Sequence, residues 1–223
     1  MFDYKPVQGL MWGQNAISTA EWTGVRLKDV LEYLGIDLKN KDIKHVHFVG
    51  LDSDPTGSTY GASIPVEKVL NDNGDVLIAF QMNGMDIPLD HGYPLRAIAP
   101  GIIGARSVKW LSKIILSNEE SKSHWQQKDY KLLPPSVNNL NEANFSQSKA
   151  IQECPIQSAI TEPAEGAVIK KENETIKIKG YAYSGGGNSI DSVRVSLDDG
   201  ITWQQATLKK LDQPLYRYII LKI

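Results

Sequence analysis

The chain has 223 residues, of which 41% are apolar, and a formal net charge of −2. This length suits one large domain or two smaller ones with a buried core, and the near-neutral charge excludes bulk electrostatic attraction to nucleic acid or anionic membranes. Its one cysteine, Cys154, excludes an internal disulfide framework. No apolar run approaches the roughly 18–20 residues that a membrane-spanning helix needs, and no targeting segment is visible.

The first part of the sequence predicts mixed helix and strand. Apolar residues recur at helical spacing over residues 22–34, which predicts one helix with Thr23 as its N-cap. Strands are expected at residues 46–49 and 76–81. Asn83-Gly84 supplies the positive φ angles of a tight hairpin turn.

Four potential metal-binding side chains lie on the first of these strands or close to it. Asp52 and Asp54 stand in a run of turn-forming residues, which favours turn chemistry over a divalent metal site or hydrogen bonds to a ligand's amine edge. His45 and His47 alternate on a predicted strand and match no zinc-ligand spacing, so half-buried structural positions are favoured. The sequence therefore predicts no metal ligand.

The stretch over residues 95–116 predicts two strands around a glycine-containing loop. Gly101 and Gly104 permit close backbone approach to a ligand. Cations beside exposed N–H groups suit a phosphate or another anion, while ordinary solvated surface charge is the alternative. The cations of this region are His91, Arg96, Arg106 and Lys109.

Beyond Tyr130 the composition changes to a polar, proline-containing linker followed by short alternating segments. Strands are expected at residues 175–179 and 193–197, a turn at 198–200, and a further strand from Thr202. This pattern is typical of an antiparallel sandwich. A seven-stranded sandwich needs about 100 residues, more than remain here, so the domain is predicted to be partial.

Several sequence strings, taken in order along the chain, are informative together. They are EWTGVRL (21–27), GLDSDPTG (50–57), YGASIP (60–65), DHGYPLR (90–96), PGIIGARSVKW (100–110), SHWQ (123–126), QSAITEP (157–163), GYAYSGGG (180–187) and SLDDGITW (196–203). In this order they resemble the eukaryotic sulfite oxidase family. The resemblance implies a partial α+β molybdopterin-binding domain of the sulfite oxidase type at residues 1–135, a linker at 136–150, and a partial immunoglobulin-like β-sandwich dimerisation domain at 151–223.

The resemblance also implies an activity and its site residues. The family oxidises sulfite to sulfate at a molybdenum–molybdopterin centre, where the cofactor supplies the redox chemistry and the protein supplies binding and orientation. Tyr130 matches the active-site tyrosine of the family. The positions that match its cofactor contacts are Asp52, His91, Arg96, Ser107, Val108 and Lys109.

The chain also departs from the family pattern. The family's metal ligand is the cysteine of a Cys-Ala-Gly-Asn-Arg-Arg motif, which does not occur here, and Cys154 stands elsewhere in the family order. The haem domain of animal members is absent as well. We therefore expect an incomplete oxidoreductase with little or no sulfite oxidation by itself. A nitrate reductase-type molybdenum domain and a non-catalytic cofactor-binding or dimerising fragment are the alternatives.

The expected partners and location also follow from the resemblance. They are sulfite as substrate, a second copy of the chain bound through the C-terminal domain, and cytochrome c as electron acceptor of the intact enzyme. Neither nucleic acid nor a membrane is expected as a partner. The expected location is the mitochondrial intermembrane space.

Overall fold

The computed structural model describes residue 13, residues 16–169 and 176–209, and the backbone of residues 220–222. Within these residues the chain divides into two compact units. The larger unit contains Glu21–Cys154 and takes in Gly185–Gly187; the smaller contains Pro155–Ser184 and the described residues from Asn188 onward. No helix in the described residues combines the length and apolar character required to cross a bilayer.

The larger unit combines seven strands with short helices. Its strands are β1 (Trp22–Arg26), β2 (His45–Ser53), β3 (Thr59–Pro65), β4 (Leu77–Met82), β5 (Met85–Asp86), β6 (Arg96–Ile98) and β7 (Leu111–Ser117). Its α-helices are α1 (Leu27–Tyr33), α2 (Val66–Leu70) and α3 (His124–Gln127), and its 3₁₀ turns are Leu89–His91, Gly104–Arg106 and Leu140–Glu142.

Two antiparallel sheets organise this unit. One has the order β1-β4-β5, with β6 also paired to β4, and the other has the order β3-β2-β7. The central strand β2 alternates buried and half-buried residues, and Val46 and Phe48 are fully buried. They join Leu27 of α1, Ile64 of β3 and Val108 in one apolar core. Burial of each large apolar side chain contributes about 1.5–3 kcal/mol.

The predicted helix over residues 22–34 is wrong in its first third. Trp22–Arg26 forms β1, which pairs with β4, and the helix begins only at Leu27. A Cβ atom added to Gly24 would stand 2.4 Å from the Ile78 carbonyl oxygen, so glycine permits this close pairing. Leu27 and Leu31 are the buried residues of α1, as the apolar spacing predicted, and the predicted N-cap at Thr23 lies inside the strand. Sheet pairing thus overrides the local helical pattern.

The other elements predicted for the first half are confirmed. The strands predicted at 46–49 and 76–81 appear as β2 and β4. Asn83 and Gly84 have φ angles of 54° and 75° and form the two-residue turn between β4 and β5. The residues on either side of this turn, Met82 and Met85, pair with each other in the sheet. Asp54 accepts hydrogen bonds from the amides of Thr56 and Ser58, which confirms the turn interpretation of this aspartate.

In the described residues, the smaller unit contains three antiparallel strand pairs. They are β8 (Gln157–Glu162) with β9 (Lys179–Tyr183), β10 (Arg194–Val195) with β11 (Gln204–Gln205), and β12 (Thr207–Lys209) with β13 (Ile220–Lys222). Ala182, Ile190 and Ala206 form its core. The strand predicted at 193–197 is shorter in the structure, where β10 contains only Arg194 and Val195. Leu197, at the end of the predicted strand, is 70% exposed and does not pack in the core.

The remaining predictions for this unit have mixed outcomes. The turn at 198–200 is confirmed, with Asp199 and Gly200 at φ angles of 53° and 89°. The strand expected from Thr202 begins at Gln204. Of the strand expected at 175–179, residue 175 lies outside the described residues, and residues 176–178 form no strand. Only Lys179 belongs to a strand, as the first residue of β9, so this prediction is wrong for residues 176–178.

The two ends of the polar stretch over residues 131–150 lie next to each other. Lys131 and Ala150 form an isolated antiparallel bridge, and the Lys131 ammonium donates to the Ser148 carbonyl oxygen over 2.9 Å. The stretch belongs to the larger unit. The domain boundaries expected at residues 135 and 150 stay a prediction.

Candidate functional site

The site is built around the 3₁₀ turn Leu89–His91, whose three consecutive carbonyl oxygens each accept a hydrogen bond from a side chain. Trp110 Nε1 donates to Leu89 over 2.8 Å, and Lys109 Nζ donates to Asp90 over 2.7 Å. Arg96 Nη1 donates to the His91 carbonyl over 3.0 Å. Two cations predicted from the sequence are therefore fixed on one short turn, which also carries His91.

Gly92 allows this turn to lie against the segment that bears Lys109. Its φ angle is 112°, and a Cβ atom at this position would stand 2.8 Å from the Lys109 Cβ. The Trp110 amide donates to the Gly92 carbonyl over 3.3 Å. Only glycine combines this backbone angle with such close approach.

Two tryptophans support the two cations. Lys109 Nζ lies 4.4 Å from the centroid of the Trp110 ring, and the Arg96 guanidinium carbon lies 4.9 Å from that of Trp22. Both distances fall within the range of cation–π attraction. The sequence interpretation did not identify either tryptophan; the position of Trp110 directly after Lys109 was the available signal.

Asp52 approaches the same segment from the end of β2. A Cβ atom added to Gly50 would stand 2.2 Å from Asp52 Oδ1 and 2.9 Å from the Lys109 carbonyl oxygen, so Gly50 leaves room for the carboxylate beside the Lys109 backbone. Asp52 Oδ1 and Arg96 Nε are both buried and have no hydrogen-bond partner within the described residues. Burial also lowers the pKa of Arg96. Each of these buried atoms lacks a partner that a polar ligand or a water molecule could provide.

Ser107 and Val108 occupy structural positions next to Lys109. Ser107 Oγ accepts a hydrogen bond from the Ala99 amide over 3.2 Å. Val108 is 1% exposed, belongs to the apolar core, and accepts a hydrogen bond from the Ala97 amide through its carbonyl. Its side chain therefore packs in the core, and the atoms that remain for a ligand at Val108 belong to the main chain.

Arg106 does not join the cation cluster predicted from the sequence. Its side chain is fully buried and donates to the carbonyl oxygens of Trp125, Tyr130 and Ile151. Burial lowers its pKa. Arg106 is buried and bonds carbonyls in the interior, whereas Lys109 donates to the Asp90 carbonyl, so two cations that sequence spacing had grouped have separate partners.

The two loop glycines also differ from the expectation. Gly101, at φ 79°, stands against Gly186, whose amide donates to the Gly101 carbonyl over 3.0 Å, so this glycine serves chain packing and not ligand approach. Gly104 is exposed, with open space where a side chain would stand.

Tyr130 and Asp52 both influence the ionisation of Tyr60. Burial is the main reason that the pKa of Tyr60 is raised to about 12; the neighbouring Tyr130 and Asp52 raise it further, and Arg106 opposes them. The Tyr60 hydroxyl donates to the Ala105 carbonyl over 2.8 Å. Tyr130 itself is 47% exposed, which leaves its ring accessible.

The described residues contain no cluster of three or more histidine, cysteine, aspartate or glutamate side chains suited to a metal ion. The Cys154 amide donates to the Gly101 carbonyl, and its own carbonyl accepts from Gly185. His47 Nε2 lies 2.7 Å from the Glu119 carbonyl oxygen, and burial lowers the pKa of His45. Both histidines therefore have the structural positions that the sequence favoured.

Comparison with known proteins identifies the family. Residues 1–125 match the family described as "Oxidoreductase molybdopterin binding domain". The chain belongs to this family. Residues 148–219 match the "Mo-co oxidoreductase dimerisation domain". The predicted fold class and the predicted molybdopterin cofactor are thereby confirmed: a molybdopterin-binding oxidoreductase domain is followed by a dimerisation domain.

Individual members of the molybdopterin oxidoreductases agree with this assignment. Mouse "Sulfite oxidase, mitochondrial" is 50% identical over 213 residues, which are 96% of this chain and 38% of the mouse protein. "Nitrate reductase [NADH] 1" of Phaseolus vulgaris is 38% identical over 216 residues, which are 92% of this chain and 24% of that protein. The chain thus spans less than two fifths of the length of either relative.

A solved structure has a similar fold. It is the sulfane dehydrogenase SoxCD of Paracoccus pantotrophus, with a TM-score of 0.72 and 29% sequence identity over 92% of this chain and 48% of that one. The match covers most of the chain, which shows that this chain shares its fold with part of that dehydrogenase.

Proposed function

We propose that this chain forms the cofactor-binding part of an enzyme that oxidises sulfite to sulfate at a molybdenum–molybdopterin centre. The observation that carries the proposal is that Asp52 Oδ1 and Arg96 Nε are each buried without a hydrogen-bond partner in the described residues. Such atoms cost free energy until a ligand or water satisfies them. Molybdopterin fits them, because its pterin carries amine donors and its tail carries an anionic phosphate.

Each proposed contact has a distinct role toward that cofactor. Asp52 accepts hydrogen bonds from the amine edge of the pterin, and Arg96 and Lys109 attract its anionic groups. His91 and Ser107 supply further polar atoms at the rim, and Val108 supplies main-chain atoms only. The indole rings beneath Arg96 and Lys109 restrict both cations to orientations that need little rearrangement when the ligand binds.

Tyr130 is proposed as the residue that meets the substrate. Its phenol hydroxyl donates a hydrogen bond to an anionic oxygen, while its ring packs near Arg106. When bound, the molybdenum cofactor supplies the two-electron redox change by which sulfite gains one oxygen atom from water with loss of two protons. Tyr130 holds the sulfite anion in an orientation that favours this reaction.

The substrate is proposed as sulfite and not nitrate. The chain is 50% identical to the mouse sulfite oxidase and 38% identical to the bean nitrate reductase. The higher identity covers a similar share of the chain, so it reflects general similarity over both units. This supports the sulfite assignment over the nitrate alternative.

The chain alone is proposed to turn over little sulfite. Cys154 is its one cysteine, and its main chain is tied to Gly101 and Gly185. Without a thiolate at the cofactor site, the metal lacks the protein ligand that the family resemblance implies. The proposed residues bind the pterin and its phosphate and not the metal.

The assembly and location follow from the relatives. We propose a homodimer formed through residues 151–223, supported by the match of residues 148–219 to a dimerisation domain. The proposed domain limits are 1–135 and 151–223 with a linker at 136–150. The names of mammalian relatives support a mitochondrial location. The intermembrane space and cytochrome c as electron acceptor are the finer proposals for the intact enzyme.

Cofactor binding by the purified chain tests the proposed site. The chain is incubated with molybdopterin, and the retained pterin is measured by its fluorescence after oxidation. Lys109→Met removes one charged hydrogen-bonding group, which typically contributes about 1.5–3 kcal/mol, so affinity should fall roughly 10- to 100-fold. Asp52→Asn should weaken binding as well, because an amide accepts hydrogen bonds less strongly than a carboxylate.

Lys113→Met is the matched control, because Lys113 is an exposed cation of β7 that lies outside the cluster. Its affinity should stay within a factor of two of the unmodified chain. Equal losses for Lys109→Met and Lys113→Met, or no pterin binding by the unmodified chain, would refute the proposed site. Sulfite oxidation by the loaded chain above the rate of cofactor alone would contradict the expected inactivity.

A further inference from the structure

Arg106 is the largest fully buried side chain of the described residues, and it carries a positive charge into the interior. Its guanidinium donates to the Trp125 carbonyl over 2.9 Å and to the Ile151 carbonyl over 3.1 and 3.2 Å. A fourth, longer contact of 3.4 Å reaches the Tyr130 carbonyl. A buried charge is stable only with such partners, so the contacts fix three separate stretches of chain around one fork of donors.

Tyr130 is held in an unusual backbone conformation at this point. Its φ angle is 53°, in the left-handed region that side chains rarely adopt and that persists only where surrounding contacts enforce it. Its carbonyl oxygen accepts from the Ile151 amide over 2.7 Å in addition to Arg106. The Arg106 guanidinium carbon also lies 5.9 Å from the centroid of the Tyr130 ring. Arg106 thus contacts both the backbone and the ring of Tyr130.

The position of Arg106 in the sequence links this contact to the cofactor site. The preceding residue, Ala105, accepts the hydrogen bond of the Tyr60 hydroxyl, and Tyr60 packs on Trp125 with ring centroids 4.6 Å apart. The following residues, Ser107 to Lys109, lead into the cofactor site. The segment over residues 105–109 therefore contacts Tyr130 through Arg106 and also contains proposed cofactor contacts.

We propose that Arg106 is a positioning residue that places the Tyr130 phenol relative to the cofactor site. This inference rests on the proposed function, in which Tyr130 meets the substrate. Arg106 acts through Tyr130: it fixes the carbonyl and the φ angle from which the ring projects, while its side chain stays buried. A purely structural role would stabilise the larger unit as a whole and leave the Tyr130 environment unchanged whenever the chain is folded.

Two substitutions at Arg106 test the proposal in the full 223-residue chain. Arg106→Met keeps the length of the side chain and removes its donors; Arg106→Lys keeps the charge but cannot donate to several carbonyls in a fixed fork. The first readout is the NMR signal of the Tyr130 ring, assigned with Tyr130→Phe. The second is hydrogen exchange at the Ile151 amide, which donates to Tyr130, with the Phe48 amide as a reference in the core sheet.

In Arg106→Met, the Tyr130 ring signal should shift and exchange at Ile151 should increase at least tenfold, while exchange at Phe48 changes less than twofold. Arg106→Lys should show a smaller shift in the same direction and an intermediate exchange rate. The control is Arg26→Met, which removes an exposed arginine paired with Asp29 and should change neither readout. If Arg106→Met does not fold, the same readouts on Arg106→Lys decide the question.

An unchanged Tyr130 signal in a folded Arg106 variant would overturn the proposal. A parallel increase of exchange at Ile151 and Phe48 would also overturn it, because that result indicates a general structural role. Neither readout depends on cofactor. A chain that fails to bind molybdopterin therefore refutes the proposed function and still leaves the positioning of Tyr130 measurable.

Discussion

Replacement of Gly92 by alanine probes the contact on which the cofactor site is built. At φ 112° an alanine is strained, and its Cβ would stand 2.8 Å from Lys109 Cβ, 3.0 Å from Lys109 Cα and 3.1 Å from the Trp110 amide. Backbone strain of this kind costs about 1–3 kcal/mol, and overpacking costs a further 1–3 kcal/mol or so. Gly92→Ala should therefore lower the free energy of unfolding by about 2–6 kcal/mol.

Alanine substitutions at two other glycines distinguish backbone strain from overpacking as the source of this loss. Gly84 has a φ angle of 75° with nothing within 4 Å of an added Cβ, so Gly84→Ala should cost only the left-handed penalty of about 1–2 kcal/mol. Gly104 has open space and no positive φ, so Gly104→Ala should stay within about 0.5 kcal/mol of the parent. Urea unfolding followed by tryptophan fluorescence measures all three.

We expect the loss in free energy of unfolding to be largest for Gly92→Ala, smaller for Gly84→Ala and smallest for Gly104→Ala. A Gly92→Ala chain as stable as Gly84→Ala would refute the reasoning, because the close approach to Lys109 would then contribute nothing. Displacement of the 3₁₀ turn should also loosen the contacts of its carbonyls with Arg96 and Lys109. Molybdopterin retention should accordingly fall in Gly92→Ala and remain unchanged in Gly84→Ala.

Three further substitutions test the interior and its response to pH. Gln126 is fully buried, accepts a hydrogen bond from the Ser63 amide and donates one to the Ser63 carbonyl. Gln126→Leu should therefore lower the free energy of unfolding, measured in urea, by about 2–4 kcal/mol. The control Gln147→Leu, at an exposed position, should leave it unchanged. Trp110→Phe removes one indole donor and should cost about 0.5–1.5 kcal/mol; no loss would show that this hydrogen bond is dispensable. Burial lowers the pKa of His45 from 6.5, so the unfolded chain binds the extra proton first and stability should fall as pH drops below about 6.5. His45→Gln should flatten that part of the pH–stability curve; an unchanged slope would assign it to other groups.

In the proposed cofactor site, carbonyl oxygens and indole rings contact the two cations. Arg96 and Lys109 each donate to a carbonyl of the 3₁₀ turn and each lie over a tryptophan ring. These contacts orient a cation without neutralising its charge. The positive potential therefore remains available to an anion, which is the requirement for binding a phosphate-bearing cofactor.

The sequence alone was sufficient for the order of the two domains, and its choice of cofactor-binding residues stays a prediction. The strings around His91, Arg96 and Lys109 predicted a molybdopterin site, and the structure gathers these residues on one turn. Local chemistry also predicted the Asn83-Gly84 hairpin and the Asp54 turn correctly. These features depend on residues close together in the chain, whose backbone preferences and hydrogen bonds operate over a few positions.

The tertiary structure decided the features that depend on distant partners. Trp22–Arg26 has a helical pattern but pairs with β4, because Gly24 admits the backbone around Ile78. Arg106 has the sequence context of a ligand-binding cation but bonds carbonyls up to 45 residues away. Sequence spacing fixes neither the partner of a strand nor the direction of a side chain, because both follow from which surfaces the folded chain buries together.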